Sequence, residues 1–189
     1  MNASDEEKRK EIIAKIQEEF AARPGTVRVM LHSLAFGTLV PYVLGEKVVS
    51  KAQMEMSIDV MANSLVYWTQ DLVAAGLMEA GGRIYTMTSS GGTRVWPSYG
   101  PVSAAKAALE SHVRQLALEL APQRITVNAI RAGVTSTPSS RKIPGYDVIE
   151  RTAMERNPHG RITTTQDVAE AIGVLAMAGT HWLTGNTIG

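Results

Sequence analysis

Tyr99 and Lys106 stand seven residues apart at the head of an alanine-rich stretch, SYGPVSAAKAAL, residues 98–109. Proline suits the first helical position, because its fixed φ is helical and its missing N–H would be unpaired there anyway. Pro101 therefore marks a helix start, with Gly100 as the expected cap and Tyr99 just outside. Lys106 then lies between one and two turns in, and its long stem can reach back over the helix start. An ammonium near a phenol favours the ionised form, which makes the phenol a better proton donor. On spacing alone, a surface lysine and a half-buried tyrosine at an ordinary helix start are the favoured reading, because a two-residue pattern is easily matched.

Two neighbouring stretches carry further hydroxyls. Ser89, in TMTSSGG, precedes Tyr99 by ten residues and could help hold an oxyanion. Alone it reads equally as a strand-end serine satisfying local backbone. In NAIRAGVTSTP, residues 128–138, Gly133 permits a tight turn, and Thr135, Ser136 and Thr137 can bond an amide or a phosphate. By itself this is only a polar loop.

Composition narrows the classes. A chain of 189 residues with 44% hydrophobic and 20% charged residues is that of a soluble globular domain with a real core. A net charge of +1 gives no electrostatic case for nucleic acid or an anionic membrane. The absence of cysteine excludes disulfides and thiolate metal sites and is compatible with a cytoplasmic location. No apolar run reaches the length of a membrane span, and MNASDEEKRKEI has no signal-peptide core. His32, His112, His159 and His181 are scattered without ligand spacing, so no metal site is expected.

The elements that must position these residues follow from periodicity and punctuation. Ser4 and Glu7 form a capping-box pattern ahead of an amphipathic helix that ends at Pro24–Gly25. TVRVML (26–31), RIYTMTSS (83–90) and QRITVNAI (123–130) read as strands, and TGNTIG as the start of a last one. Ser50 caps a long helix over about 51–77, the Pro101 helix runs to about Leu120, and a weakly helical stretch covers 146–157. A capped helix lies in 163–179. On the Pro101 helix Leu109, Val113, Leu116 and Leu120 form one apolar stripe, expected to cover the sheet. Met54, Met56 and Met61 read as core or interface filler. This α-β alternation predicts an α/β fold, a doubly wound parallel sheet with helices on both faces. Ligands then bind at the carboxyl ends of the strands, in the loops 32–48, 88–99 and 131–145. A sheet that binds a dinucleotide normally begins with a strand, a glycine-rich turn and a helix. Nothing before Ser4 supplies that, so the expectation is a single partial Rossmann-like domain over 1–189, truncated at its N-terminus.

Taken together, HSLAFG (32–37), the long helix, TMTSS, Tyr99 with Lys106, NAIRAG and the closing TG resemble the short-chain dehydrogenase/reductase family in order and spacing. Most members keep the tyrosine four residues before the lysine, where this chain has Val102. The seven-residue spacing, HSLAFG and NAIRAG resemble instead the enoyl-acyl carrier protein reductase branch. The resemblance implies that NADH or NADPH reduces the trans-2 double bond of an enoyl thioester, on acyl carrier protein or coenzyme A, in fatty acid synthesis. It implies Tyr99 on the thioester oxygen, Lys106 on the nicotinamide ribose, and Ser89 as an assisting hydroxyl. Ser33, Leu34 and Ala35 would pass along the cofactor's adenosine and ribose side. Gly133, Thr135 and Thr137 would lie at its carboxamide and pyrophosphate. Phe36, Trp96, Pro97 and Val102 would wall the acyl channel. The asparagine that many members carry on the long helix aligns with Met61, although Asn63 lies near. A homo-dimer or homo-tetramer follows by analogy only. Two other readings stay open: a carbonyl or alcohol oxidoreductase of the same family, and a non-catalytic truncated relative.

Overall fold

The computed structural model describes residues 2–189. Four parallel strands form one sheet in the order β1 (Val29–His32), β2 (Arg83–Met87), β3 (Thr126–Ile130) and β4 (Thr187–Ile188). Six helices connect and flank them: α1 (Glu6–Ala22), α2 (Lys51–Ile58), α3 (Ser64–Ala74), α4 (Gly100–Leu120), α5 (Tyr146–Arg156) and α6 (Thr165–Leu175). The α/β parallel architecture is the expected one. Each strand is shorter than its sequence pattern, because pairing ends where the chain leaves for the loops.

The core lies between the sheet and the face carrying α1, α3 and α4. Ile84, Val127 and Ala129 point into it from the strands, and Leu109, Val113, Leu116 and Leu120 meet them from α4. The stripe on α4 therefore does cover the sheet. Tyr85 and Arg83 alternate onto the opposite face, where they donate to the Leu175 and Met177 carbonyls at the end of α6. That helix buries none of its residues fully.

Several local expectations change. Asp5, not Ser4, caps α1: its carboxylate accepts from the Lys8 amide at 3.0 Å, while the Ser4 hydroxyl turns to Asn2. A carboxylate at a helix start also meets the positive end of the macrodipole. Gly100 is the first residue of α4, and Tyr99 itself takes the cap position. Ser50 does cap α2, in a reciprocal box with Gln53. The long helix, expected to be continuous over 51–77, is interrupted by a π-helical turn, Asp59–Asn63, and ends at Ala74. Such turns insert one residue and recur at functional sites. Here the turn buries Val60, Met61 and Ala62, and Met61 reaches Val102 and Ala105 at the start of α4.

His32 ties this turn to the sheet. Its Nε2 lies 2.8 Å from the Ser64 hydroxyl, which donates to the Val60 carbonyl at 2.7 Å. Its Nδ1 lies 3.1 Å from the Thr86 hydroxyl on β2. With the ring neutral, Nε2–H donates to Ser64, and the single Thr86 hydroxyl proton is shared between Nδ1 and the His32 carbonyl, each 3.1 Å away. Burial, together with the nearby Lys106 charge, pushes the His32 pKa down from 6.5 to about 4.

Two outcomes follow. The unfolded chain binds a proton at His32 that the folded chain refuses, so stability falls as pH drops from 6.5 to about 4. The loss attributable to this group is about 3 kcal/mol. Denaturant titrations of His32→Asn should lack most of that slope, and an unchanged slope would contradict the neutral buried ring. Leu109→Ala, at a fully buried position on α4, should cost about 2–5 kcal/mol in the same measurement.

Candidate active site

The carboxyl ends of β1, β2 and β3 open toward one end of the sheet, and α4 begins there. Lys106 is buried, contrary to its reading as a lysine on a wet helix face. Its Nζ donates to the Met87 carbonyl at 2.7 Å and to the Leu34 carbonyl at 3.2 Å. Those carbonyls end β2 and continue β1, so one ammonium joins both loop exits to α4. Burial pushes its pKa down from 10.5 to about 8, against a smaller upward pull from the Glu110 carboxylate. An ammonium has three N–H groups, and two are committed to the protein.

Tyr99 sits one helical segment away, half-buried against Met61, Val102 and Ala105. One edge of its ring abuts Gly91, where a Cβ would stand 2.3 Å from it. Only glycine leaves that space. The Tyr99 amide donates to the Trp96 carbonyl at 3.1 Å, closing a tight turn over Pro97 and Ser98. Ser98 has φ +61°, in the left-handed region that residues other than glycine rarely adopt. Strain at the residue before Tyr99 fixes the direction in which the phenol leaves the backbone.

The remaining sequence candidates fall around this pair in different ways. The Ser89 hydroxyl accepts from the Gly91 amide at 3.1 Å and caps the short turn that carries Gly91. Thr135 donates to the Gly133 carbonyl. Gly133 packs so tightly on Thr163 that a Cβ would collide with its hydroxyl. Thr137 shares its hydroxyl and amide with Ser140, whose hydroxyl also reaches the Thr135 carbonyl at 2.8 Å. Ser33 and Ala35 are exposed at the end of β1, and Leu34 supplies its carbonyl to Lys106. A groove of about 450 Å³ beside β1 includes Ser33 and Leu34 in its lining.

Of the residues expected to wall an acyl channel, Phe36 is 66% exposed and Pro97 is exposed. Val102 is buried beneath Gly37, where it meets Met61, and so supports the site from below. Trp96 turns toward the loop after β3, donating its indole N–H to the Pro144 carbonyl at 2.8 Å. Among the described residues no cluster of histidine and carboxylate side chains could hold a metal ion. No helix among them is long and apolar enough to cross a membrane.

Some participants escaped the sequence reading. Ser140 holds the Thr135–Thr137 loop, and Thr88 donates to Glu110 at 2.7 Å, fastening the end of β2 to α4 beside Lys106. Tyr42 lays its ring over Gly100 at the α4 start, where a Cβ would come within 2.5 Å of it. A glycine between two tyrosines at 42 and 99 carried no periodic pattern that would have revealed this contact.

Known proteins place this arrangement. The profile described as Enoyl-(Acyl carrier protein) reductase matches residues 1–189. The enoyl-(acyl-carrier-protein) reductase (NADH) of Aquifex aeolicus is 30% identical over 165 residues, which are 87% of this chain and 60% of that protein. The NADPH enzyme of Staphylococcus aureus is 30% identical over 171 residues, 90% of this chain and 66% of that protein. A crystal structure of the Aquifex aeolicus reductase superposes with a TM-score of 0.87 at 29% identity, covering 98% of this chain and 70% of that one. The chain thus spans about 60% of the length of the first of these relatives. Fold, element order and full-length profile agree, and the chain belongs to the enoyl-(acyl carrier protein) reductase family.

Proposed function

We propose that this chain is the catalytic part of a reductase that saturates the trans-2 double bond of enoyl thioesters with NADH or NADPH, in fatty acid synthesis. The observation that carries the reading is the buried Lys106 ammonium, held by the Leu34 and Met87 carbonyls with one N–H uncommitted, on the same helix that Tyr99 caps. A nicotinamide ribose fits that donor, because a sugar hydroxyl accepts from an ammonium and can pass its own proton onward. Ser33, Leu34, Ala35, Gly133, Thr135 and Thr137 lie on the flanking loops and are assigned to the rest of that cofactor. When bound, the reduced nicotinamide supplies the hydride.

The chain's own groups do the remainder. As hydride reaches the β-carbon of the thioester, negative charge gathers on the carbonyl oxygen. The Tyr99 phenol donates a hydrogen bond to that oxygen and passes its proton there, giving an enol that becomes the saturated thioester when solvent protonates the α-carbon and the enol proton is lost. This interaction is stronger in the transition state than in the ground state, which is what lowers the barrier. Lys106 places positive charge beside the developing anion without entering it. Ser89, on the turn that seats Gly91, is the assisting hydroxyl. Phe36, Trp96 and Pro97 rim the site on its exposed side, with Val102 below. The acyl carrier is acyl carrier protein or coenzyme A, since the reacting thioester is the same in both. A homo-dimer or homo-tetramer through the long helix and α4 belongs to the proposal, supported by Leu118 at 71% exposure on α4. So does a cytoplasmic location.

Oxidation of NADH and NADPH followed with crotonyl thioesters tests the reading. Turnover of ketones with none of enoyl thioesters would overturn it. Tyr99→Phe should lower kcat by about a hundredfold or more, and retained activity would remove Tyr99 from its role. Gly91→Ala should cost a comparable share of kcat with little change in melting temperature, because the added methyl displaces the Tyr99 ring. Full activity in that variant would contradict the seating of the phenol.

A further inference from the structure

We propose that Trp96 is a positioning residue that couples the loop after β3 to Tyr99. The inference rests on the role just given to Tyr99, but the coupling itself is a matter of geometry.

Trp96 is held at both ends. Its indole N–H donates to the Pro144 carbonyl at 2.8 Å. The six-membered ring of the indole packs against Gly145, where a Cβ would stand 3.2 Å from it. Gly145 also has φ +74°, which favours glycine, and an added Cβ would press on the indole. At its other end, the Trp96 carbonyl accepts from the Tyr99 amide at 3.1 Å. Between the two lie Pro97, whose ring fixes φ, and Ser98, whose φ is +61°. A turn built on a rigid residue and a strained one has few alternative shapes. Moving the indole therefore moves the carbonyl that holds Tyr99.

The loop at the far end is itself one piece. Ser140 ties Thr135 to Thr137, and the amides of Arg141, Ile143 and Tyr146 donate to the Thr137, Ser140 and Ile143 carbonyls. The Thr163 amide bonds the Val134 carbonyl and anchors the loop's start. Thr135 and Thr137, assigned to the cofactor, are therefore linked to Pro144 through Ser140, and Pro144 to Tyr99 through Trp96. Occupancy of the loop and orientation of the phenol are set together. The family resemblance puts Trp96 in the wall of the acyl channel. Its contacts in the structure are with the loop and with Tyr99.

Amide hydrogen exchange by NMR on this chain tests the coupling without any turnover. Trp96→Phe keeps a ring and removes the N–H donor. Exchange should quicken by about fivefold at Ile143 and Tyr146 and also at Tyr99, the ratio expected from losing one ordinary hydrogen bond. Core amides on β2 and β3 should be unchanged. Gly145→Ala, which pushes a methyl toward the indole from the other side, should quicken the same three amides. Faster exchange at Ile143 and Tyr146 with none at Tyr99 would overturn the coupling, as would no change at all three. In reduction assays Trp96→Phe should lower kcat more than it raises KM for the thioester; a change in KM alone would contradict a positioning role. The expected exchange pattern in the variants, together with a wild-type chain that reduces no enoyl thioester, would refute the assigned reaction and leave the coupling standing.

Discussion

One ammonium organises this molecule. Lys106 enters the interior from α4 and is met by the carbonyls of Leu34 and Met87, which leave β1 and β2 at neighbouring points. A charge taken out of water is costly unless hydrogen-bonded, so the two carbonyls and the lysine must be brought together or not buried at all. The chain contains devices for bringing them together. Parallel pairing of β1 with β2 sets the two strand ends level, with His32 opposite Thr86. The Thr88–Glu110 bond fastens the end of β2 to α4 one turn beyond the lysine. The π-helical turn carries Met61 under the first turn of α4, where it packs with Val102 and Ala105.

Tyr99 is placed by a different kind of constraint. Nothing charged holds it. Its position comes from shape: the bare backbone of Gly91 against the ring edge, the left-handed Ser98 before it, and the Trp96 carbonyl on its amide. A charge-bonded lysine and a sterically seated phenol, set on one helix start, give an acid and a cation that do not need to touch each other to act on the same substrate. The histidine beside them stays neutral for the same reason that the lysine pKa falls, since both groups sit in the same poorly solvated pocket.

Much of this was legible in the residues. Alternating helices and short apolar strands are enough for a parallel α/β sheet, and Pro101 marks the α4 start to within one residue. The loops that carry the site follow from the rule that ligands gather at strand carboxyl ends. What stayed hidden depends on partners far along the chain. Whether a lysine on an alanine-rich helix is wet or buried is decided by carbonyls 72 and 19 residues away. The π turn has no local signature, because DVMAN holds no proline or glycine that would break an α-helix. Ser98 gives no warning of a positive φ, which asparagine or glycine would have given. Trp96 could be recognised as aromatic and near Tyr99, but not as a bridge to Pro144, 48 residues on. The capping-box pattern points to Ser4, while the Asp5 carboxylate next door makes the capping bond.

The burial of Lys106 is the point on which the account turns, and its proton affinity reports that burial directly. Titration of the side-chain carbons next to Nζ by NMR, in the chain labelled at lysine and assigned through Lys106→Arg, gives the value for this one group. A midpoint of about 8 is expected. A midpoint near the ordinary 10.5 would mean a solvated ammonium, free of the two carbonyls, and would contradict the arrangement on which the rest of the site depends.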